Sequence, residues 1–243
     1  MEHTKDGVPE LSERYLEPTE FFDWDNPKVK SFAEKCVEHA ETNVEKSVCL
    51  FYAVRDSIMY DPYRVSLDRH VYHASNLLTV GAGFCLPKAN LLIASARAVG
   101  IPAGIGLSDV VNHLCSEGLR KKMGGNKVFH HHGYAVLYIE GKWVKAAPAF
   151  NIKLCNRFGV TPTEFDGQNH ALFQEYDNLD RRHMEYLVDH GIWSDFPFAR
   201  VVNDFSAVYP SSLFSKRRGP ISTRIFEGEE GTSSNLQTLQ KSL

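Results

Sequence analysis

Gly81-Ala82-Gly83-Phe84-Cys85-Leu86-Pro87-Lys88-Ala89-Asn90-Leu91-Leu92-Ile93-Ala94-Ser95-Ala96-Arg97-Ala98-Val99-Gly100-Ile101-Pro102-Ala103 is the stretch from which the rest of the chain can be read. A glycine-rich turn leads straight into a helix with Pro87 in its first turn, where a missing N–H costs nothing. Ala89, Leu92, Ile93 and Ala96 repeat at helical spacing, and Gly100 and Pro102 end the run. Cys85 therefore falls at a helix N-terminus. Unpaired amides and the positive end of the helix dipole favour thiolate over thiol there, so the expectation is a lowered pKa and the most reactive of the chain's thiols. Gly81 and Gly83 would let the backbone pass close to a substrate carbonyl, and the Cys85 amide could help hold an oxyanion.

A nucleophilic thiol needs a base close in space. His132 opens the apolar run His132-Gly133-Tyr134-Ala135-Val136-Leu137-Tyr138-Ile139. That run reads as a strand, paired across Glu140-Gly141-Lys142 with 143–147. Both of its faces are apolar, so it is expected to be central in its sheet. His130 and His132 would share a face by strand alternation. Zinc, however, wants three or four convergent ligands, and the segment carries no nearby carboxylate or thiol, so no metal is expected. His130 and His131 are read as loop or strand-edge residues, and His113 as a surface histidine.

Outward from this core, residues 1–25 are polar and aromatic and read as an extended N-terminal arm. Asn26-Pro27 opens a helix whose Val29, Phe32, Ala33, Cys36, Val37 and Ala40 form one buried face. Thr42-Asn43-Val44-Glu45 has capping-box spacing and starts a second helix reaching about residue 59. Tyr60-Asp61-Pro62-Tyr63 is a turn, followed by a polar connection. Residues 103–107 read as a short strand, 113–128 as a basic loop, and the vicinity of His183–His190 as a short helix. Past Ser215 the chain is poor in apolar residues and reads as a polar tail. The expected organisation is an arm (1–25), one α+β domain (26–214) and a tail (215–243).

Composition narrows the function. Of 243 residues, 43% are hydrophobic and 23% charged, and the net charge is −3. Ordinary globular composition rules out wholesale disorder, and the absence of a basic excess argues against nucleic acid or an anionic membrane as partner. No apolar run is long enough to span a bilayer, and no signal-peptide pattern opens the chain. A cytoplasmic location is expected. Five widely spaced cysteines without a CxxC pair argue against a disulfide framework.

The order of these motifs resembles the transglutaminase-like superfamily of papain-fold cysteine enzymes, in a compact, bacterial-type, single-domain form. Gly81–Cys85 is similar to the family's G-x-C turn, Lys88-Ala89-Asn90-Leu91-Leu92 to its helix, and Arg97–Ala103 to its R-A-x-G-I-P-A exit. His132-Gly133-Tyr134 and Gly141-Lys142-Trp143-Val144 match its two later strands. The resemblance covers roughly residues 15–150. It implies a papain-like fold, with N-terminal helices packed on an antiparallel sheet, and Cys85 and His132 as nucleophile and base. The family usually places an acid after the second-strand Trp; here Ala147 stands there, and Tyr134 and Val136 replace its common Trp and Glu. Asn151 is the expected orienter of His132, as an amide serves in papain-type enzymes, with Asp166 as the second candidate. The expected activity acts on a peptide or protein amide, or on a thioester, through an acyl-cysteine intermediate and ends in hydrolysis, as in a peptidase or amidase. A protein-glutamine acyltransferase and a binding module that keeps only the fold are the alternatives. An arylamine N-acetyltransferase fits less well, because its R-G-G-x-C approach is missing. No cofactor is implied, and no EF-hand-like run for calcium is present.

Overall fold

Every residue from Leu86 to Arg97 is buried. A helix with no exposed face must be covered all round, and the remaining elements supply that cover. The computed structural model describes residues 9–113, 115–173 and 183–214; the expected tail lies outside the described residues. The helices are α1 (Pro27–Cys36), α2 (Asn43–Ser57), α3 (Ala74–Val80), α4 (Cys85–Ala98), α5 (Glu117–Lys122), α6 (Ile152–Phe158) and α7 (Phe198–Val208). The strands are β1 (Met59–Tyr60), β2 (Ala82–Gly83), β3 (Ala103–Asn112), β4 (Val128–Ile139), β5 (Lys142–Ala146) and β6 (Met184–Trp193). The last four form an antiparallel sheet in the order β5-β4-β3-β6, and β1 and β2 make a small parallel pair. Helices α1, α2 and α3 pack on one side of α4, and β3 and β4 on the other. The fold is thus α+β, with N-terminal helices and a central helix on an antiparallel sheet.

Local chemistry explains the helix starts. Asn26 Oδ1 accepts from the Lys28 amide at 3.0 Å, with Pro27 at the first helical position of α1. At α2, Thr42 Oγ1 accepts from Glu45 N–H while Glu45 Oε2 accepts from Thr42 N–H, a reciprocal cap. Strand β4 lies between β5 and β3. Ala135 and Leu137 join the core around α4, while Tyr134 and Val136 pack with Ala147 on the opposite face, so the central placement expected from its double-sided apolarity is what the fold uses.

Three elements differ from the sequence expectation. The segment near His183–His190 is strand β6, not a helix: it pairs with β3 along most of its length, and this long-range ladder outweighs local propensity. The connection after Tyr63 contains α3, closed by Gly81 in the left-handed region at φ 71°. The basic loop contains α5, capped by Ser116 Oγ on the Leu119 amide at 3.2 Å. Strand β3 is also twice the expected length, since β4 and β6 flank it on both sides.

Polar residues on α4 are spent as staples. Lys88, with no exposed surface, donates from Nζ to the carbonyls of Arg55 and Ile58 at 2.8 and 2.6 Å. These are carbonyls at the C-terminal end of α2, which lack intrahelical partners. Asn90 Nδ2 donates to Tyr72 O at 2.8 Å. Arg97 donates to the carbonyls of Ala103, Glu17 and Ser194, joining α4 to the start of β3, to the N-terminal segment and to the chain beyond β6. That N-terminal segment folds back on the core: Tyr15, Phe21 and Phe22 are buried, and Trp24 Nε1 donates to Leu16 O at 3.0 Å.

Burial pulls the Lys88 pKa down to about 7, against the opposing pull of Asp56. A lysine whose folded pKa lies below its unfolded value of about 10.4 gives up its proton first in the folded state. Its contribution to stability is complete above the unfolded pKa and falls as pH drops toward 7. Urea unfolding of the native chain and of Lys88→Met at pH 7 and pH 9.5 should show the native chain gaining relative stability at the higher pH. An unchanged difference between the two would mean that Lys88 is not held in a depressed state.

Candidate active site

Cys85 is placed by a short parallel pair of strands. The Met59 amide donates to Gly81 O at 3.0 Å and the Asp61 amide to Gly83 O at 2.9 Å, so the chain after α3 is clamped to β1 before it enters α4 at Cys85. The two glycines of this turn answer local packing. Gly81 supplies the positive φ that ends α3. A Cβ on Gly83 would stand 2.7 Å from Leu77 Cδ1. Strand β4 then presses on the first turn of α4: a Cβ on Gly133 would lie 2.5 Å from Leu86 Cδ2 and 3.3 Å from Leu86 Cα. This close approach brings the neighbour of His132 against the neighbour of Cys85.

The Cys85 side chain is partly buried, and burial pushes its thiol up to about 11. Backbone N–H groups of Gly133, Leu86 and Cys85 itself pull the other way without cancelling the rise. The lowered pKa expected from a helix N-terminus is therefore reversed. The amide field is present, but the apolar surroundings of the sulfur cost a thiolate more than the amides return.

His132 is 4% exposed, and burial drives its pKa down to about 4. Its ring lies against Phe173, with centroids 5.0 Å apart, and against the edge of Tyr186 at 6.4 Å. Nε2 is buried and has no hydrogen-bond partner among the described residues. Cys85 and His132 line the same cavity, about 50 Å³ in volume, together with Tyr60, Phe84, Phe150 and Phe173. Room for a water needs on the order of 10–15 Å³ on this measure, so the cavity takes a few small groups and no folded chain.

The two expected orienters are engaged elsewhere. Asn151 Oδ1 accepts from the Tyr60 amide at 3.2 Å, which ties the start of α6 to β1. The Asp166 carboxylate is exposed and takes the amides of Gln168 and Asn169 at 2.8 and 2.7 Å; these bonds lower its pKa to about 2. Ala147 is buried beside Tyr134 and Val136, so the position of the usual acid holds a methyl group in an apolar cluster. Among the described residues, rings and no hydrogen bond position the imidazole.

Sequence reasoning missed the aromatic clamp of Phe173 and Tyr186, because both reach His132 only through long-range pairing. It also misplaced two histidines. His130 and His131 are part of β4, and His131 is 1% exposed. His130 lines the cavity beside Cys85, and its Nδ1 lies 2.9 Å from Asp109 Oδ2 on β3. His113, as expected, is near the surface, 3.1 Å from Glu185.

Residues 30–148 match the model of the transglutaminase-like superfamily. No curated protein matches the chain. Among solved structures, a candidate cysteine protease from Cytophaga hutchinsonii is 18% identical, with a TM-score of 0.43 over 74% of this chain and 53% of that one. A candidate protease from Parabacteroides distasonis is 18% identical, with a TM-score of 0.36 over 56% of this chain and 24% of that one. Arylamine N-acetyltransferase from Salmonella typhimurium is 15% identical, with a TM-score of 0.45 over 82% and 73%. The chain thus spans about half the length of the first of these proteins and about a quarter of the second. Among the described residues, no helix is long and apolar enough to cross a membrane.

A thiol raised to about 11 is expected to alkylate slowly at neutral pH. Iodoacetamide labelling followed by peptide mapping should show exposed Cys49 modified well ahead of Cys85 at pH 7.5. Labelling of Cys85 should keep rising to pH 10. A plateau already reached near pH 6 would mean that the thiolate is preformed.

Proposed function

We propose that this chain, which belongs to the transglutaminase-like superfamily of cysteine enzymes through residues 30–148, cleaves an amide or thioester carbonyl with Cys85 as nucleophile and His132 as base. The observation that carries this reading is the shared cavity: Cys85 and His132 line one small apolar space, and His132 Nε2 is buried with no hydrogen-bond partner among the described residues. Between the two pKa values of about 4 and about 11, both groups rest neutral. As the carbonyl carbon meets the sulfur, the thiol proton passes to His132 and the S–C bond forms. Backbone amides of Cys85, Leu86 and Gly133 already point at the sulfur and are the natural donors to the oxyanion. Collapse of the tetrahedral adduct breaks the bond to the leaving amine or thiolate, which takes the proton from the imidazolium. The resulting thioester is attacked by water, whose proton returns through His132, and a free acid leaves.

Hydrolysis is favoured over transfer to an amine by the size of the cavity, which admits water to the sulfur and leaves little space for a second protein's lysine. The substrate would be a peptide or protein amide presenting its carbonyl at the cavity mouth. One observation favours a binding module instead: Ala147 fills the usual acid's place with a methyl group in an apolar cluster, and no carboxylate among the described residues pairs with His132 to meet the imidazolium formed during attack.

Acylation with a chromogenic thioester separates these readings. Native protein is expected to form a covalent adduct on Cys85, seen by mass spectrometry, and to release free acid even with millimolar primary amine present. Cys85→Ala should abolish the adduct, and His132→Ala should slow its formation about 10²–10⁴-fold. A dominant amine adduct would make the protein an acyltransferase. No adduct with any ester or amide would make it a binding module.

The Gly133 contact gives a second check. Gly133→Ala should cost about 1–3 kcal/mol of stability through overpacking against Leu86 and lower the acylation rate at least tenfold while the variant remains folded. Unchanged acylation would mean that the β4–α4 spacing does not set the attack geometry.

A further inference from the structure

Away from the sulfur, a second cluster of ionisable groups sits at the double irregularity of β3. The β3–β4 ladder shifts register between Ser108 and Val110, and the β3–β6 ladder shifts on both sides of this point. Bulges of this kind re-aim side chains. Here they gather Asp109 of β3, His131 of β4 and His190 of β6, each offering one ligand atom within 4.8 Å of the others. Asp109 is 8% exposed and His131 is 1% exposed.

The hydrogen bonds fix the tautomers. Asp204 Oδ2, on α7, lies 2.7 Å from His131 Nε2. A carboxylate only accepts, so Nε2 carries the proton and Nδ1 presents a lone pair. That Nδ1 is buried and has no partner among the described residues. An orphaned acceptor in the interior is costly unless a donor or a cation meets it. Carboxylate–histidine–metal relays have this arrangement, with the outer carboxylate setting which nitrogen ligates. The Asp109 carboxylate takes the His131 amide at 3.0 Å and faces His190 Nε2 at 2.7 Å through Oδ1, and faces His130 Nδ1 at 2.9 Å through Oδ2. Arg200 Nη2 is 3.4 Å from His190 Nδ1.

We propose that Asp109, His131 Nδ1 and His190 Nε2 form a three-ligand site for a divalent transition metal of the zinc class, with Asp204 as the positioning residue behind His131. Two imidazoles and one carboxylate are a common zinc donor set, with bonds of about 2.0–2.2 Å. Closing on an ion from separations within 4.8 Å needs small side-chain rotations. On binding, the ion takes the place of the proton shared by His190 and Asp109. That proton moves to His190 Nδ1, and Arg200 withdraws from it. The ion would then tie β3, β4 and β6 together and, through Asp204, hold α7, whose Phe205 lines the Cys85 cavity. His130, also on the cavity wall, keeps its bond to the other oxygen of Asp109. The site is a clamp behind the cavity and does not require the Cys85 chemistry.

The test uses the full chain, stripped with chelator and titrated with ZnCl2 against a chromophoric competitor, with metal content measured after desalting and melting followed in parallel. One equivalent of zinc and a raised Tm are expected, unchanged after the thiols are blocked with iodoacetamide. His190→Gln and His131→Gln should each lose the bound equivalent, and Asp204→Asn should keep it with about 10–100-fold weaker affinity. His113→Gln should match the native chain. Should His131→Gln fail to fold, His190→Gln, at a less buried side chain, still decides. No retained zinc in the native protein, a full equivalent retained by folded His190→Gln, or a thiolate-to-cobalt charge-transfer band on Co2+ substitution would each overturn the assignment.

Discussion

Lys88 Nζ, wholly enclosed, holds the carbonyls of Arg55 and Ile58, and that pair of bonds fixes the helix carrying Cys85 against the end of α2. A helix buried on all sides could slide or rotate among equally apolar neighbours, since hydrophobic contact is non-directional. Hydrogen bonds supply the direction. Lys88 sets the first turn of α4, Asn90 ties the next to Tyr72 O, and Arg97 locks the last to three separate stretches of chain. Their lost hydration is costly unless each is paired, and backbone carbonyls pair them. The sulfur one turn before Lys88 is thereby held at a fixed depth.

That depth governs the chemistry. Amides converge on Cys85 from its own helix start and from Gly133, an environment that in a wetter site would hold a thiolate. Phe84, Phe150 and Phe173 around it remove the water that would share the charge, so thiol and imidazole both stay neutral. Such a thiol is slow toward small alkylators at neutral pH, and in the proposed reaction it gives up its proton as a carbonyl arrives to receive the electron pair. Among the described residues no acid pairs with His132, and Phe173 and Tyr186 fix its ring. Rings fix a plane but stabilise no tautomer, so orientation is kept while electrostatic help for the imidazolium is given up.

Much of this frame was legible in the residues. Helix α4, the caps of α1 and α2 and the β4–β5 hairpin follow from local spacing and turn chemistry, while the pairing of Cys85 with His132 is what the family resemblance implies. What local spacing does not carry is which distant segment completes a sheet. Strand β6 has a glycine at position 191 with φ 85° and exposed Leu187 and Val188, a pattern that announces no strand by itself; β3 makes it one. Asn151 met every local requirement of an orienter, being polar, buried and at a helix start, yet its oxygen serves the Tyr60 amide. Polar side chains near a site are claimed by whichever unsatisfied backbone donor is nearest, and the sequence does not show where those donors lie.

The three consecutive histidines of β4 show the same limit at the scale of one turn. Simple alternation would send His130 and His132 to one face and His131 to the other. The register shift opposite Asp109 and the left-handed φ of 53° at His131 break that alternation, a conformation that costs a non-glycine residue on the order of 1–3 kcal/mol. The result is three separate assignments: His130 to Asp109 at the cavity wall, His131 to Asp204, and His132 to the ring clamp. Strain of this size persists only where surrounding contacts over-determine it, and here Asp109 does so by accepting from the His131 amide while facing two further imidazoles. No described residue supplies the carboxylate that the family pattern leads one to seek beside His132, and a carboxylate one strand away organises the neighbouring histidines. The acid in this molecule thus shapes the wall of the site, not the base within it.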